Sequence, residues 1–199
     1  MKQLMTAAAI LLLTTQAGSA ESCHDHFVRL MVGGNDVGPI KTHVTQEIKG
    51  APASTNYFYQ AAPGHWMTQM IKPANQGWVL AYNNTMYTSS DKGKSWKKIR
   101  TMDSAANAES GRKSRAESAK TVKNAQCAEE ALEGVAHKVV EADFEGAQGM
   151  KTSNHYTYWV NAENGWISKA IYHVKSKSFE SKTTQLVEPA PGLELPKPE

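Results

Sequence analysis

The chain has 199 residues, two cysteines and a formal net charge of +3 at pH 7. This length is typical of one domain, or of one domain with a tail, and it can bury a hydrophobic core without several disulfides. The near-neutral charge and the presence of only four arginines argue against a large phosphate-binding surface, so no nucleic-acid partner is expected.

Residues 1–20 have the pattern of a secretory signal peptide. Lys2 precedes an uncharged apolar stretch, Met5 to Thr15, and the small residues Gly18, Ser19 and Ala20 predict cleavage after Ala20. The mature chain is therefore expected to be periplasmic or secreted. No later stretch is long and apolar enough for a transmembrane helix, so stable membrane insertion is not expected. Glu21 also disfavours lipid attachment at Cys23, because that position of a lipoprotein signal requires a small residue.

The mature sequence begins with a predicted short amphipathic helix, Cys23 to Val32, which ends at Gly33 and Gly34. Short alternating segments separated by turn residues then predict an antiparallel meander. Its strands are expected at 42–48, 55–60, 65–71, 77–82, 85–88 and 96–100. Ser89 to Trp96, SSDKGKSW, matches the Asp-box pattern S-x-D-x-G-x-x-W, which we interpret as a hairpin turn and not as a catalytic centre.

Residues 102–133 are rich in alanine and charge, and they predict a helical connection. Four further β segments are expected at 135–144, 155–160, 166–174 and 179–187. The segment 188–199 holds four prolines and predicts an extended, partly disordered tail. The expected organisation is a signal peptide (1–20), one domain (21–187) and this tail.

Cys23 and Cys127 are the only cysteines, and an exported protein meets oxidising conditions. An even number of cysteines favours pairing, so a Cys23–Cys127 disulfide is predicted. Two free buried thiols and a metal site are the alternatives that the sequence leaves open.

The sequence carries no nucleophile or nucleotide-binding motif, so an enzyme is not expected and no cofactor is predicted. His24 and His26 offer a metal-binding alternative, but a helix would turn these two side chains to different sides. Apolar side chains in the strands indicate a binding surface instead, because tryptophan and methionine adapt to apolar ligands. The candidate ligand-binding residues on one concave face are Trp66, Met70, Trp78, Leu80, Tyr82, Trp159 and Trp166. An ordinary hydrophobic core is the alternative interpretation of the same residues.

The order of elements resembles the LolA-like group of periplasmic lipoprotein carriers, from Phe27 to Val187. The resemblance is carried by KGKSWKKI, EGVAHKVVEADFEG and the strand–turn–strand YTYWVNAENGWISKAIYHV, which includes Trp159-Val160 and Gly165-Trp166. It implies an α+β fold with a strongly curved antiparallel sheet, an unclosed barrel, covered by helices. It also implies non-catalytic binding of an apolar small molecule, a lipid or a lipidated partner. A structural or interaction protein with a filled core is the alternative function.

Overall fold

The computed structural model describes residues 21–35, 38–147 and 151–198. The predicted signal peptide, residues 1–20, lies outside this range. The described residues form two helices, α1 (Cys23–Gly33) and α2 (Ser104–Ala119). Neither helix is long and apolar enough to cross a membrane.

Eleven strands of the described residues form one antiparallel sheet. They are β1 (Ile40–Ile48), β2 (Ser54–Ala62), β3 (His65–Lys72), β4 (Trp78–Tyr82), β5 (Thr85–Ser89), β6 (Lys97–Thr101), β7 (Lys123–Leu132), β8 (Val135–Glu145), β9 (Ser153–Asn161), β10 (Ile167–Lys175) and β11 (Glu180–Pro189). Their spatial order is β6-β5-β4-β3-β2-β1-β11-β10-β9-β8-β7. The sheet therefore consists of two sequential meanders that join where β1 pairs with β11, and it remains open because β6 and β7 do not pair with each other.

Both helices begin at capping side chains. The Ser22 hydroxyl accepts a hydrogen bond from the Asp25 amide, and the Asp103 carboxylate accepts one from the Ala106 amide. The C-terminal cap of α1 is Gly34, whose φ of 66° suits a glycine. The predicted amphipathic helix over Cys23 to Val32 is confirmed, and α2 continues without interruption through Gly111.

The larger hydrophobic core lies between α1 and one face of the sheet, which we call the cavity face. Phe27 is fully buried there, with its ring 5.5 Å from that of Tyr158 on β9 and 6.3 Å from that of Phe144 on β8. Ala170 of β10 and Ile167 belong to the same cluster. Helix α1 thus covers the part of the sheet formed by β8, β9 and β10.

A smaller core lies on the opposite face, which we call the outer face. Paired residues of an antiparallel sheet share a face, and the register from β10 to β4 places Leu80 and Met67 on the side away from Tyr158. Leu193 and Leu195, which follow β11, pack against these two residues, and Leu195 is only 6% exposed. The expectation of partial disorder in the C-terminal tail does not hold for these two leucines.

Strand β7 corrects the expectation of a helical connection over residues 102–133. Only 104–119 are helical, and Lys123–Leu132 pairs with β8 at the edge of the sheet. An edge strand packs few of its side chains against a core. The alanines and glutamates of β7 therefore give a sequence pattern like that of a solvent-exposed helix. The hairpin turn that follows it is built from Glu133 and Gly134, which both have positive φ.

Candidate functional site

A partly open cavity of about 770 Å³ lies between the two helices and the cavity face of the sheet. Its size is in the range of cavities that hold small ligands. Side chains from α1, from α2 and from six strands line it. The apolar lining consists of Leu30, Met31, Val32, Ile40, Phe58, Phe144, Ala147, Ile167, Ala170, Val174 and Val187. The lining also includes the aromatic rings of Tyr156, Tyr158 and Tyr172.

The three tyrosines form one aromatic cluster in the wall of the cavity. The ring of Tyr156 lies 4.5 Å from that of Tyr172 and 6.5 Å from that of Tyr158. Burial raises the pKa of all three phenols above its ordinary value, so each stays neutral at physiological pH. The Tyr172 hydroxyl donates a weak hydrogen bond of 3.4 Å to Gln185. This part of the cavity therefore offers apolar surface with a few neutral polar atoms.

Polar side chains line the cavity both in its wall and at its rim, and those of the wall are Thr42, Gln60, Thr152, Asn154 and Gln185. Asn35 follows α1 and exchanges two hydrogen bonds with the backbone of Ile167, at 2.9 and 2.8 Å, which ties the end of the helix to β10. Ser114 and the exposed Arg115 of α2 lie at another part of the rim, and the buried Ser118 of the same helix also lines the cavity. The Ser118 hydroxyl accepts a hydrogen bond from the Ala147 amide at 3.0 Å. The rim thus depends on contacts between elements that are distant in sequence.

The structure separates the seven candidate ligand-binding residues instead of bringing them together. Trp66 and Met70 of β3 lie on the cavity face. The residues that pair with them on β2 are on the same face as Phe58. Neither residue lines the cavity. The ring of Trp66 lies 5.9 Å from that of Phe58, which does line the cavity, so Trp66 packs beside the cavity wall on the same face of the sheet.

Four other candidates project from the outer face. Trp78, Leu80 and Tyr82 belong to the smaller core with the C-terminal leucines. Trp159 lies farther along this face, where its indole Nε1 donates a 2.9 Å hydrogen bond to Glu130 and the Lys169 ammonium lies 4.1 Å from the ring centre. Trp166, the seventh, precedes β10, and its buried Nε1 has no hydrogen-bond partner among the described residues. Ligand binding by these seven residues stays a prediction.

Sequence reasoning missed the residues that do line the cavity, although β9 carried a signal for them. In the segment YTYWV, Tyr156 and Tyr158 alternate with Thr157 and Trp159. The alternation shows that tyrosines and Trp159 face opposite sides, and only the position of α1 shows which side is enclosed. Residue size alone favoured the tryptophan.

The predicted Cys23–Cys127 disulfide is present and links α1 to β7, with the two Cα atoms 5.6 Å apart. The alternative metal site has no support at His24 and His26. The His24 side chain is exposed and interacts with Asp25, whereas His26 is buried, 6% exposed, in the same helix. No group of three or more histidine, cysteine or acidic side chains suited to a metal ion occurs within the described residues.

No protein-family model and no curated protein matches the chain. Several solved structures are similar to it. A LolA superfamily protein from Nitrosomonas europaea is 12% identical with a TM-score of 0.41, over 79% of this chain and 86% of that chain. The MucA/MucB complex of Pseudomonas aeruginosa is 11% identical with a TM-score of 0.47, over 85% of this chain and 58% of that chain.

An outer membrane lipoprotein-sorting protein domain from Vibrio parahaemolyticus is 12% identical with a TM-score of 0.32, over 79% of this chain and 87% of that chain. At these identities and TM-scores the comparisons identify no site residue. The resemblance to the LolA-like group that the sequence predicted is confirmed as a distant structural similarity.

Proposed function

We propose that this protein binds an apolar or amphiphilic ligand, a lipid or the acyl chain of a lipidated partner, without converting it chemically. The single observation that carries the proposal is the cavity of about 770 Å³, whose wall combines apolar and aromatic side chains with neutral polar ones. Transfer of an acyl chain from water to such a wall is favourable by roughly 0.8 kcal/mol for each buried methylene. The alternative of a structural protein with a filled core is less favoured, because this space is not filled by side chains.

The proposal includes a strongly curved sheet around the ligand. Phe58 on β2 and Phe144 on β8 both line the cavity, although four strands lie between β2 and β8 in the sheet. In a flat sheet, strands five positions apart would be separated by roughly 24 Å. Strong curvature brings them to one cavity and supports a carrier-like half barrel in which the ligand is held between sheet and helices.

The proposed location is the periplasm or the extracellular space. The predicted signal peptide motivates this location, and the Cys23–Cys127 disulfide supports it because such bonds persist in oxidising compartments. A fusion of the full chain to alkaline phosphatase, which is active only after export, tests this part separately. An inactive fusion that accumulates inside the cell would contradict it.

Two neighbouring residues of β11 provide a matched test of binding in the cavity. Val187 lines the cavity, whereas Leu186 projects from the outer face and is 43% exposed. We expect Val187→Trp to weaken uptake of a fluorescent fatty acid, and of the fatty alcohol of the same chain, by about tenfold, because the larger ring occupies space that the chain needs. Leu186→Trp is the control and should leave uptake unchanged.

Binding is measured by fluorescence titration, and mass spectrometry of protein purified from the periplasm tests for co-purifying lipid. Circular dichroism verifies that both variants fold. If the wild type takes up neither probe and never co-purifies with lipid, the proposed function is wrong. Equal loss of uptake in the two variants would place the binding surface elsewhere.

A further inference from the structure

One charged side chain lies among those that line the cavity. Arg115 projects from α2 at the rim, and every other lining residue in the described part of the chain is uncharged. The guanidinium is exposed to solvent, while the wall behind it contains Phe144 and the tyrosine cluster. The cavity therefore has a cationic end and an interior of apolar, aromatic and neutral polar side chains.

The charges of α2 distinguish Arg115 from its neighbours. Arg112 and Lys113 both form ion pairs with Glu109, and Lys120 pairs with Glu117. Within the described residues Arg115 has no carboxylate within ion-pair distance. Its Nε donates a hydrogen bond of 3.3 Å to the Val32 carbonyl, and no described acceptor occupies its two terminal amino groups. These groups are free to bind an anion with the paired geometry that guanidinium favours.

The positive charge also acts inside the cavity. Burial raises the pKa of the Tyr158 hydroxyl far above its ordinary value, and the charge of Arg115 opposes that rise. The guanidinium is thus close enough for its field to reach the aromatic wall. Ser114, on the preceding position of α2, adds a hydroxyl to the same rim.

We infer that the ligand is an anionic amphiphile, whose carboxylate or phosphate binds Arg115 at the rim while its hydrocarbon chain occupies the cavity. The inference rests on the proposed function and adds the chemical class of the ligand to it. A neutral or cationic amphiphile of equal chain length can contact the same wall, but its headgroup cannot form an ion pair with Arg115 at the rim. Selectivity for the anion arises because no carboxylate among the described residues lines the cavity to compensate the guanidinium.

Arg115 also has a structural role that the experiment must separate from binding. Its hydrogen bond to the Val32 carbonyl places a cation at the C-terminal end of α1, where the helix dipole favours positive charge. Arg115→Lys keeps a cation at this position but loses the paired donors. Arg115→Gln removes the charge. Lys113→Gln is the matched control, since it removes a cation from the same helix at a residue that does not line the cavity.

The test is a titration of the full mature chain with four fluorescent probes of equal chain length, namely a fatty acid, an alkyl phosphate, a fatty alcohol and an alkyl amine. Inorganic phosphate is added as a competitor to distinguish a bound headgroup from a bound chain. For the wild type we expect the two anionic probes to bind about tenfold more tightly than the alcohol, the size of one charge-assisted hydrogen bond at a solvated rim. Phosphate alone should compete weakly.

Arg115→Gln should abolish this preference, so that the anionic probes bind no more tightly than the alcohol, whereas Arg115→Lys should retain part of the preference and Lys113→Gln all of it. If the fatty alcohol and the two anionic probes bind equally tightly to the wild type, the inference is wrong, although the proposed function stands. If no probe binds, the proposed function itself fails. A loss of alcohol binding in Arg115→Gln, together with a lower melting temperature, would show that Arg115 acts only by holding α1 in place. Strong competition by phosphate alone would identify a phosphate site without selection for a chain.

Discussion

Gly93 lies against the indole of Trp78 in the turn of the Asp-box hairpin. A Cβ atom at this position would approach the Trp78 ring to 2.9 Å, and the backbone φ is +85°. The turn around it is held by the Ser89 hydroxyl, which accepts a hydrogen bond from the Gly93 amide at 2.8 Å, and by Asp91, which accepts one from the Ser95 amide at 2.9 Å. Hydrogen bonds from the Ser95 and Ser89 hydroxyls, together with the bond from the Ser95 amide, lower the pKa of Asp91 well below its ordinary range. The motif is therefore a rigid structural turn, as the sequence predicted.

Substitution of Gly93 by alanine separates two reasons for glycine at this position, the positive φ of the backbone and the close contact with Trp78. Gly50 has nearly the same φ, +84°, but no atom lies within 4 Å of the place that a Cβ atom would take there. We expect Gly50→Ala to lower the free energy of unfolding by about 1 kcal/mol through backbone strain alone. Gly93→Ala should cost at least about 1 kcal/mol more, because Trp78 must also move. Urea unfolding of both variants measures the difference, and equal losses would contradict a steric role for Trp78.

Strand β7 is the element that sequence reasoning could not identify. Periodicity predicts an element from the side chains that it buries, and β7 buries few of them. Ala125 and Cys127 pack against the core next to α1, while Glu129 and Glu130 are exposed, although Glu130 also accepts the hydrogen bond from Trp159. The other strands of the two meanders were predicted with small errors at their ends, because turn signals bounded them and most carried alternating apolar or β-branched residues; β6, which is exposed throughout, was located by the turn before it.

Helix α1 is held to β7 by a covalent link. The Cys23–Cys127 bond closes a loop with a sequence separation of 104. Replacing both cysteines by serine should lower the free energy of unfolding by up to about 4 to 5 kcal/mol, because the unfolded chain regains the entropy of that loop. Hydrogen exchange should accelerate most in α1 and β7. Unchanged stability after the double substitution would show that packing of Phe27 alone secures the helix.

The whole molecule has hydrophobic clusters on opposite faces of one sheet, and this arrangement limited prediction of the site. Alternation showed correctly that Trp66 shares a face with Met70 and that Trp78 shares one with Leu80. It could not relate the face of β3 to the face of β4, because that depends on register across the hairpin. The position of the helices, which encloses one face and creates the cavity, depends on packing between distant parts of the chain.

The outer face is completed by the segment after β11, which leads to a prediction for the whole molecule. Leu195→Ala should destabilise the protein by about 2 to 4 kcal/mol, since it removes a buried side chain next to Met67 and Leu80. Leu186→Ala is the control on the same face, and it should cost well under about 1 kcal/mol because its side chain is 43% exposed. Thermal unfolding compares the two variants. Ligand uptake should persist in both, and its loss in Leu195→Ala would show that the two faces are coupled.

The pairing of β1 with β11 has a consequence for how fast the chain folds. Each meander forms from contacts between neighbouring strands, but the seam that joins them aligns Ile40 with Pro189, near opposite ends of the described chain. Non-local pairing of this kind is slow, because the entropy of closing a long loop is lost before the contacts form. During synthesis one edge of β1 therefore stays unpaired until β11, near the end of the described chain, is available to pair with it. Any chain shortened before β11 keeps that edge open and offers it to other chains.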